Sequence, residues 1–225
     1  MMTIQWEQMR GQNSARMDEV LALYDRSFPL EVREPHDVFY SGFQYAQTAA
    51  PNQFCLLIGV EGDQLLSFAS GHYLAEVNTG FVVYIAADSN HRNRGMGSKT
   101  LAKMEDVFNE AAFLAGKSKV SGIILETEKE EEAATTMEEM ECRKRMQFFA
   151  KNQYQPCLGI DYVQPPLHSE GPTVPLNLLF KNLDGENVHD EHVWEIVQQI
   201  YSEKYSAVNN IENTILGNCL KQMGI

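Results

Sequence analysis

The sequence predicts a mixed α/β (α+β) domain with a mostly antiparallel central sheet flanked by helices, followed by a C-terminal helical extension. Three observations predict it. Two apolar, β-rich runs meet at Gly62-Asp63 and a further turn lies at Asn78-Thr79-Gly80, so the first half reads as consecutive hairpins. The third strand of that series runs into a glycine-bearing basic loop and then a long amphipathic helix. After residue 189, two stretches carry apolar stripes at helical spacing. Hairpins leading into such a loop differ from a doubly wound fold, which alternates strand and helix throughout.

Taken in order, Thr3 to Met9 alternates as a short strand. Asp18 to Phe28 places Val20, Leu21, Tyr24 and Phe28 on one helical face and stops near Pro29. A second helix starts after Pro35, with Val38, Phe39, Phe43 and Ala46 together. Phe54 to Glu61 and Leu65 to Leu74 form the first hairpin, and Phe81 to Ala87 pairs antiparallel with the latter. Leu101, Met104, Phe108, Ala111 and Ala115 predict a helix that Gly116 ends. Val120 to Glu126 is the next strand, and Met137 to Asn152 the next helix, with Cys142, Met146, Phe149 and Ala150 on one face. Leu158 to Val163 and Leu176 to Phe180 read as two closing strands around a proline-rich connection. The extension holds two helices, one with Val193, Ile196, Val197 and Ile200, the other with Ile211, Ile215, Cys219 and Met223. Residues 1–188 thus form the main domain and 189–225 an extension packed on it, or on the partner of a homodimer.

The loop Arg92-Asn93-Arg94-Gly95-Met96-Gly97-Ser98 carries the most chemical information. Helix N-termini present unpartnered amides and the positive end of the dipole, and glycines let backbone turn tightly near a ligand. With Arg92 and Arg94 beside it, the amide run from Gly95 through Met96 and Gly97 to Ser98 suits a pyrophosphate. A Walker loop is excluded, since Gly97-Ser98-Lys99-Thr100 separates Gly from Lys and position 92 is not Gly. A dinucleotide fingerprint is excluded too, because position 100 is Thr.

From Tyr84 to Leu101 the segment resembles the acyl-CoA site of the GNAT superfamily of N-acyltransferases, whose signature is Arg/Gln-x-x-Gly-x-Gly/Ala after a strand. Arg92, Gly95 and Gly97 match it. The resemblance spans residues 3 to 182, although only the loop is a specific motif. It implies a GNAT-like sheet and acetyl-CoA as acyl donor. It also implies a splay between the fourth and fifth strands, where the acyl carbonyl meets a backbone amide near Ala86 or Ala87. Transfer would go to a primary amine by direct attack in a ternary complex.

Such transfer needs a base for the amine, and Glu126 and Glu128 share a face at the end of the fifth strand. Glu76, before the turn into the fourth strand, is a third candidate. Many GNAT enzymes protonate the thiolate with the Tyr of a Phe-Tyr-x-x-x-Gly-Phe segment. Here that segment reads Phe148-Phe149-Ala150-Lys151-Asn152-Gln153-Tyr154, so Phe149 holds the Tyr position. Tyr154 or Tyr162 could substitute, or water could protonate the thiolate. The alternative reading is therefore an acetyl-CoA-binding sensor or interaction module without turnover.

The remaining composition sets limits. The net charge of −13 argues against nucleic acid and agrees with a cationic amine. No run is long enough to span a membrane, and the N-terminus lacks a signal-peptide layout. Four scattered cysteines without a Cys-x-x-Cys pair indicate no zinc site or disulfide frame, which leaves a reducing cytoplasm as the default. His189 and His192 lack a third metal ligand and read as solvated N-cap residues. Arg143, Lys144 and Arg145 are expected to pair within their helix with Glu139 and Glu141.

Overall fold

The computed structural model describes residues 3–11, 16–91, 94–168, 171–185 and 189–225. Its strands are β1 (Gln5–Met9), β2 (Gln53–Glu61), β3 (Gln64–Leu74), β4 (Thr79–Ala87), β5 (Gly122–Glu128), β6 (Gln155–Pro156), β7 (Val163–Gln164) and β8 (Val174–Asn182). Its α-helices are α1 (Met17–Ser27), α2 (Asp37–Ala46), α3 (Met96–Leu114), α4 (Thr136–Lys151), α5 (Asp190–Gln199) and α6 (Asn213–Met223). The sheet order is β1-β2-β3-β4-β5-β8-β6, with β7 paired to β8. Every pairing is antiparallel except β4 with β5.

Period-two alternation sorts the side chains onto two covered faces. Cys55, Leu57, Ile123, Leu125 and Leu179 join Leu101, Met104 and Phe108 of α3 and Phe149 of α4. Their alternates Leu56 and Ile58 pack with Val20, Tyr24 and Phe39 beneath α1 and α2. On that second face, Ile124, Leu178 and Phe180 meet Val193, Ile196, Val197 and Ile200, so the apolar stripe of α5 is covered within the same chain. Coverage on both sides explains why β2 and β3 read as nearly unbroken apolar runs, whereas edge strand β1 alternates.

Three expectations shift. The fifth strand starts at Gly122, not Val120, because the Val120 amide is taken by the Asn109 side chain at 3.0 Å. The expected strand from Leu158 to Val163 does not form. Short β6 and β7 flank that stretch instead, and Leu158 stands 92% exposed between them. The extension has three segments, for a π-helix (Ile200–Val208) follows α5 directly. It closes i→i+5 bonds such as Asn209 N–H to Lys204 O at 3.0 Å.

Candidate active site

The parallel ladder between β4 and β5 runs only from Thr79/Gly122 to Val82/Leu125. Both strands continue, β4 to Ala87 and β5 to Glu128, each still paired to its outer neighbour. The sheet therefore opens into a wedge in its middle, and alternate backbone groups of Val83 to Ala87 face the gap without a β5 partner. A cleft of about 50 Å³ lies there, lined by Phe28, Val32, Val83, Tyr84, Glu126, Thr127, Glu128, Gln164 and Leu176.

Glu126 stands at this opening and retains partial exposure. Its carboxylate accepts from the Tyr162 hydroxyl, from Gln164 Nε2 at 3.0 Å, and from the Tyr205 hydroxyl at 2.8 and 3.0 Å. Burial pushes its pKa above the ordinary carboxylate value, while the two tyrosines, Gln164 and the Lys204 charge pull the other way. An enclosed carboxylate of raised basicity beside an open wedge can take a proton from an ammonium group. Glu128, on the same face, is more open and lies 3.2 Å from the Arg145 guanidinium. Of the two glutamates the structure builds an environment around Glu126, and it ion-pairs Glu128.

The basic loop leads into α3, whose first intrahelical bond is Lys99 N–H to Gly95 O at 3.1 Å. The amides of Met96, Gly97 and Ser98 precede that bond and form the dipole's positive end. Gly95 adopts φ +68°, and a Cβ there would meet open space, which fits a turn against a large anion. Gly97 also serves packing. A Cβ would lie 2.8 Å from the Phe148 ring of α4, so its bare Cα admits that ring. Met96 is buried and Ser98 half-buried, so both present backbone amides to the loop. Arg94 is exposed and grips Glu61 with two hydrogen bonds of 2.8 and 3.0 Å. Arg92 lies outside the described residues.

Ala86 is buried under α1 and pairs with Phe68, and Ala87 pairs with Ser67, so both hold the β3 side of the wedge. Tyr154 lies behind the cleft lining. It is buried in the α3/α4 core against Phe149 at 5.9 Å, next to β6, which pairs with β8 opposite Ile124 and Leu125. Burial raises its pKa. Tyr162 does reach the site, but as a donor to Glu126 and not toward a thiolate. Glu76 accepts from Gln199 at 2.8 Å beside His192, away from the cleft. Lys144 pairs with Glu141 as expected, whereas Arg143 turns to Glu130 and Arg145 to Glu128. No cluster suited to a metal occurs among the described residues.

Sequence reasoning missed Tyr205, Gln164 and the buried pair of Lys204 with Glu34. The available signal was a polar interruption, Tyr201-Ser202-Glu203-Lys204-Tyr205, where an apolar stripe should continue.

Comparison with known proteins agrees with this fold. The family model described as Acetyltransferase (GNAT) family matches residues 17–142. No curated protein matches the chain by sequence. A GNAT-family protein from Bacteroides thetaiotaomicron is similar in structure, with TM-score 0.65, 18% identity, and coverage of 92% of this chain and 99% of its own. The yncA protein of Salmonella typhimurium, solved with its cofactor acetyl-CoA, gives TM-score 0.52 at 14% identity over 84% of this chain and 98% of its own. The ribosomal-protein-S18-alanine N-acetyltransferase of Escherichia coli gives 0.50 at 12% identity over 83% and 99%.

Proposed function

The chain belongs to the GNAT family of acetyltransferases, and from that premise we propose that it transfers the acetyl group of acetyl-CoA to a primary amine, with Glu126 as general base. The observation that carries this reading is the juxtaposition of the β4/β5 wedge with the Glu126 carboxylate. Acetyl-CoA is the acyl donor in keeping with the family and with yncA. The α3 N-terminus, Gly95 and Arg94 are positioned to take its pyrophosphate, with Arg92 assigned there by the sequence motif alone.

The chemistry follows in three moves. The ammonium form of the acceptor gives a proton to the Glu126 carboxylate. The freed amine attacks the thioester carbonyl in the ternary complex, and a backbone amide of β4 beyond Val82 stabilises the oxyanion. Collapse breaks the C–S bond, and the second proton of the amine nitrogen passes through water to the CoA thiolate, giving the neutral amide and the CoA thiol. The acceptor is a cation, because the carboxylates of Glu126 and Glu128 line the cleft.

Phe149, buried in the core at the family's Tyr position, favours a second reading in which the protein binds acetyl-CoA without turnover. Thermal unfolding with acetyl-CoA, CoA, ATP and NAD in parallel tests the binding, since a ligand of the native state raises the midpoint. A rise with both CoA species and thiol release with an amine panel supports transfer. A rise with no release from any amine establishes the second reading, and no rise sinks both.

A further inference from the structure

The C-terminal extension reaches into this site, and the contact asks for an explanation. Tyr205, within Ile200–Val208, bonds both oxygens of Glu126 from 79 residues away. We propose that this segment is part of the catalytic apparatus, with Tyr205 as a positioning residue that holds the Glu126 carboxylate at the wedge and favours its proton-accepting form. The inference rests on Glu126 being the base.

Two features of the segment support it. It is a nine-residue π-helix, a rare geometry that recurs at functional sites. Its inward side buries Ile200, Tyr201, Lys204, Tyr205 and Val208 together, so one face carries both a hydroxyl donor and a cation to the same place. Burial raises the Glu126 pKa, and a donor aimed at the charged form counteracts that. The charged and titratable groups around the carboxylate are Glu128 of β5, Tyr84 of β4, Tyr162 beside β7, and Tyr201, Lys204 and Tyr205 of the π-helix. Lys204 is itself engaged by Glu34 and by Asn209 Oδ1. Among these groups Tyr205 alone bonds both carboxylate oxygens.

A purely structural Tyr205 would act as a packed ring, edge-on to Tyr201 at 5.4 Å, and its hydroxyl would be dispensable to the chemistry. Tyr201 supplies the control, since it is equally buried but donates to the Val163 carbonyl. The experiment compares wild type, Tyr205→Phe and Tyr201→Phe in the pH profile of kcat/KM, using whichever amine the thiol-release panel identifies. The same three proteins, loaded with CoA and carrying ¹³C-labelled glutamate, are titrated by NMR, with Glu126→Gln identifying the resonance. Loss of a donor to the ionised form raises the carboxyl midpoint. The acid limb and the NMR midpoint of Tyr205→Phe should therefore move to higher pH by about one unit or more, while Tyr201→Phe leaves both in place. An unmoved midpoint in Tyr205→Phe, or an equal movement in Tyr201→Phe, overturns the inference. Failure of the wild type to acetylate any amine overturns the acetylation reading instead, and the NMR midpoint still decides whether Tyr205 governs Glu126.

Discussion

Glu34 and Lys204 lie 170 residues apart and form a buried ion pair, with side chains 4% and 2% exposed. Asn209 bonds both partners, its amide donating to Glu34 at 2.6 Å and its carbonyl accepting from Lys204. The backbone amide of Glu34 donates to the Tyr24 hydroxyl of α1 and to the Tyr84 hydroxyl of β4. Removing one member of such a pair strands the other in a dry interior. Lys204→Met is accordingly expected to destabilise the fold by about 3–5 kcal/mol, whereas Lys204→Met with Glu34→Leu recovers most of that loss. Urea unfolding of the single and double variants checks it. A double variant as unstable as the single would show that the surrounding packing, and not the stranded charge, sets the cost.

Glu126→Gln keeps an oxygen for the tyrosine hydroxyls and loses the base. Acetyl transfer should fall about a hundredfold or more in kcat/KM, with acetyl-CoA binding unchanged. Stability moves the other way. The native pKa of Glu126 is raised, so its contribution is full below the unfolded value near 4.5 and is lost as pH rises through the native value. At pH 7 the glutamine variant is therefore expected to melt higher than wild type. Full activity in Glu126→Gln would transfer the base role to Glu128.

Arg94 is held by Glu61 across the mouth of the anion loop. Arg94→Ala should weaken acetyl-CoA several-fold and flatten the salt dependence of binding, with little change in melting temperature, as exposed pairs contribute little. Glu61→Gln loosens the grip and should tighten acetyl-CoA. Calorimetric titration of both variants decides the matter. Weakening by Glu61→Gln as well would make the pair a brace for the loop.

His72 is fully buried beside Phe54 and Tyr45, and neither ring nitrogen has a hydrogen-bond partner among the described residues. Burial, helped by the Lys204 charge, holds its pKa well below the ordinary value of 6.5. The unfolded chain thus takes up a proton that the native chain refuses. Stability should fall by about 1.4 kcal/mol per pH unit as pH drops below 6.5, down to the native pKa. His72→Phe removes this slope between pH 6.5 and 5.5, where most carboxylates stay ionised. Identical slopes in both proteins over that interval would refute the assignment.

Much of the fold was legible because local periodicity determined it. The hairpin at Gly62-Asp63, the α3 stripe and the Gly116 stop all follow from residues within one turn of each other. Glu126 was legible by its place at a strand end beside the loop motif. Its donors were not, because Tyr162, Gln164 and Tyr205 approach from 36, 38 and 79 residues away. The π-helix compounds the difficulty. A period of 3.6 continues the α5 stripe from Ile200 to Lys204 and leaves Tyr205 off it, whereas the wider turn brings both inward together. Gly97 shows a further kind of omission, as a glycine matching a ligand motif also clears space for Phe148, which the motif does not announce.

The reach of Ile200–Val208 also has a meaning for synthesis. The strands that flank the wedge are complete once residue 128 has emerged, and β8 follows by residue 182. Tyr205 comes later still, so a nascent chain would display an open cleft and an acyl-CoA loop before its carboxylate is clamped. Contacts of such sequence separation also form slowly. Activity would then appear as a late event in the life of each molecule, well after the sheet has taken shape.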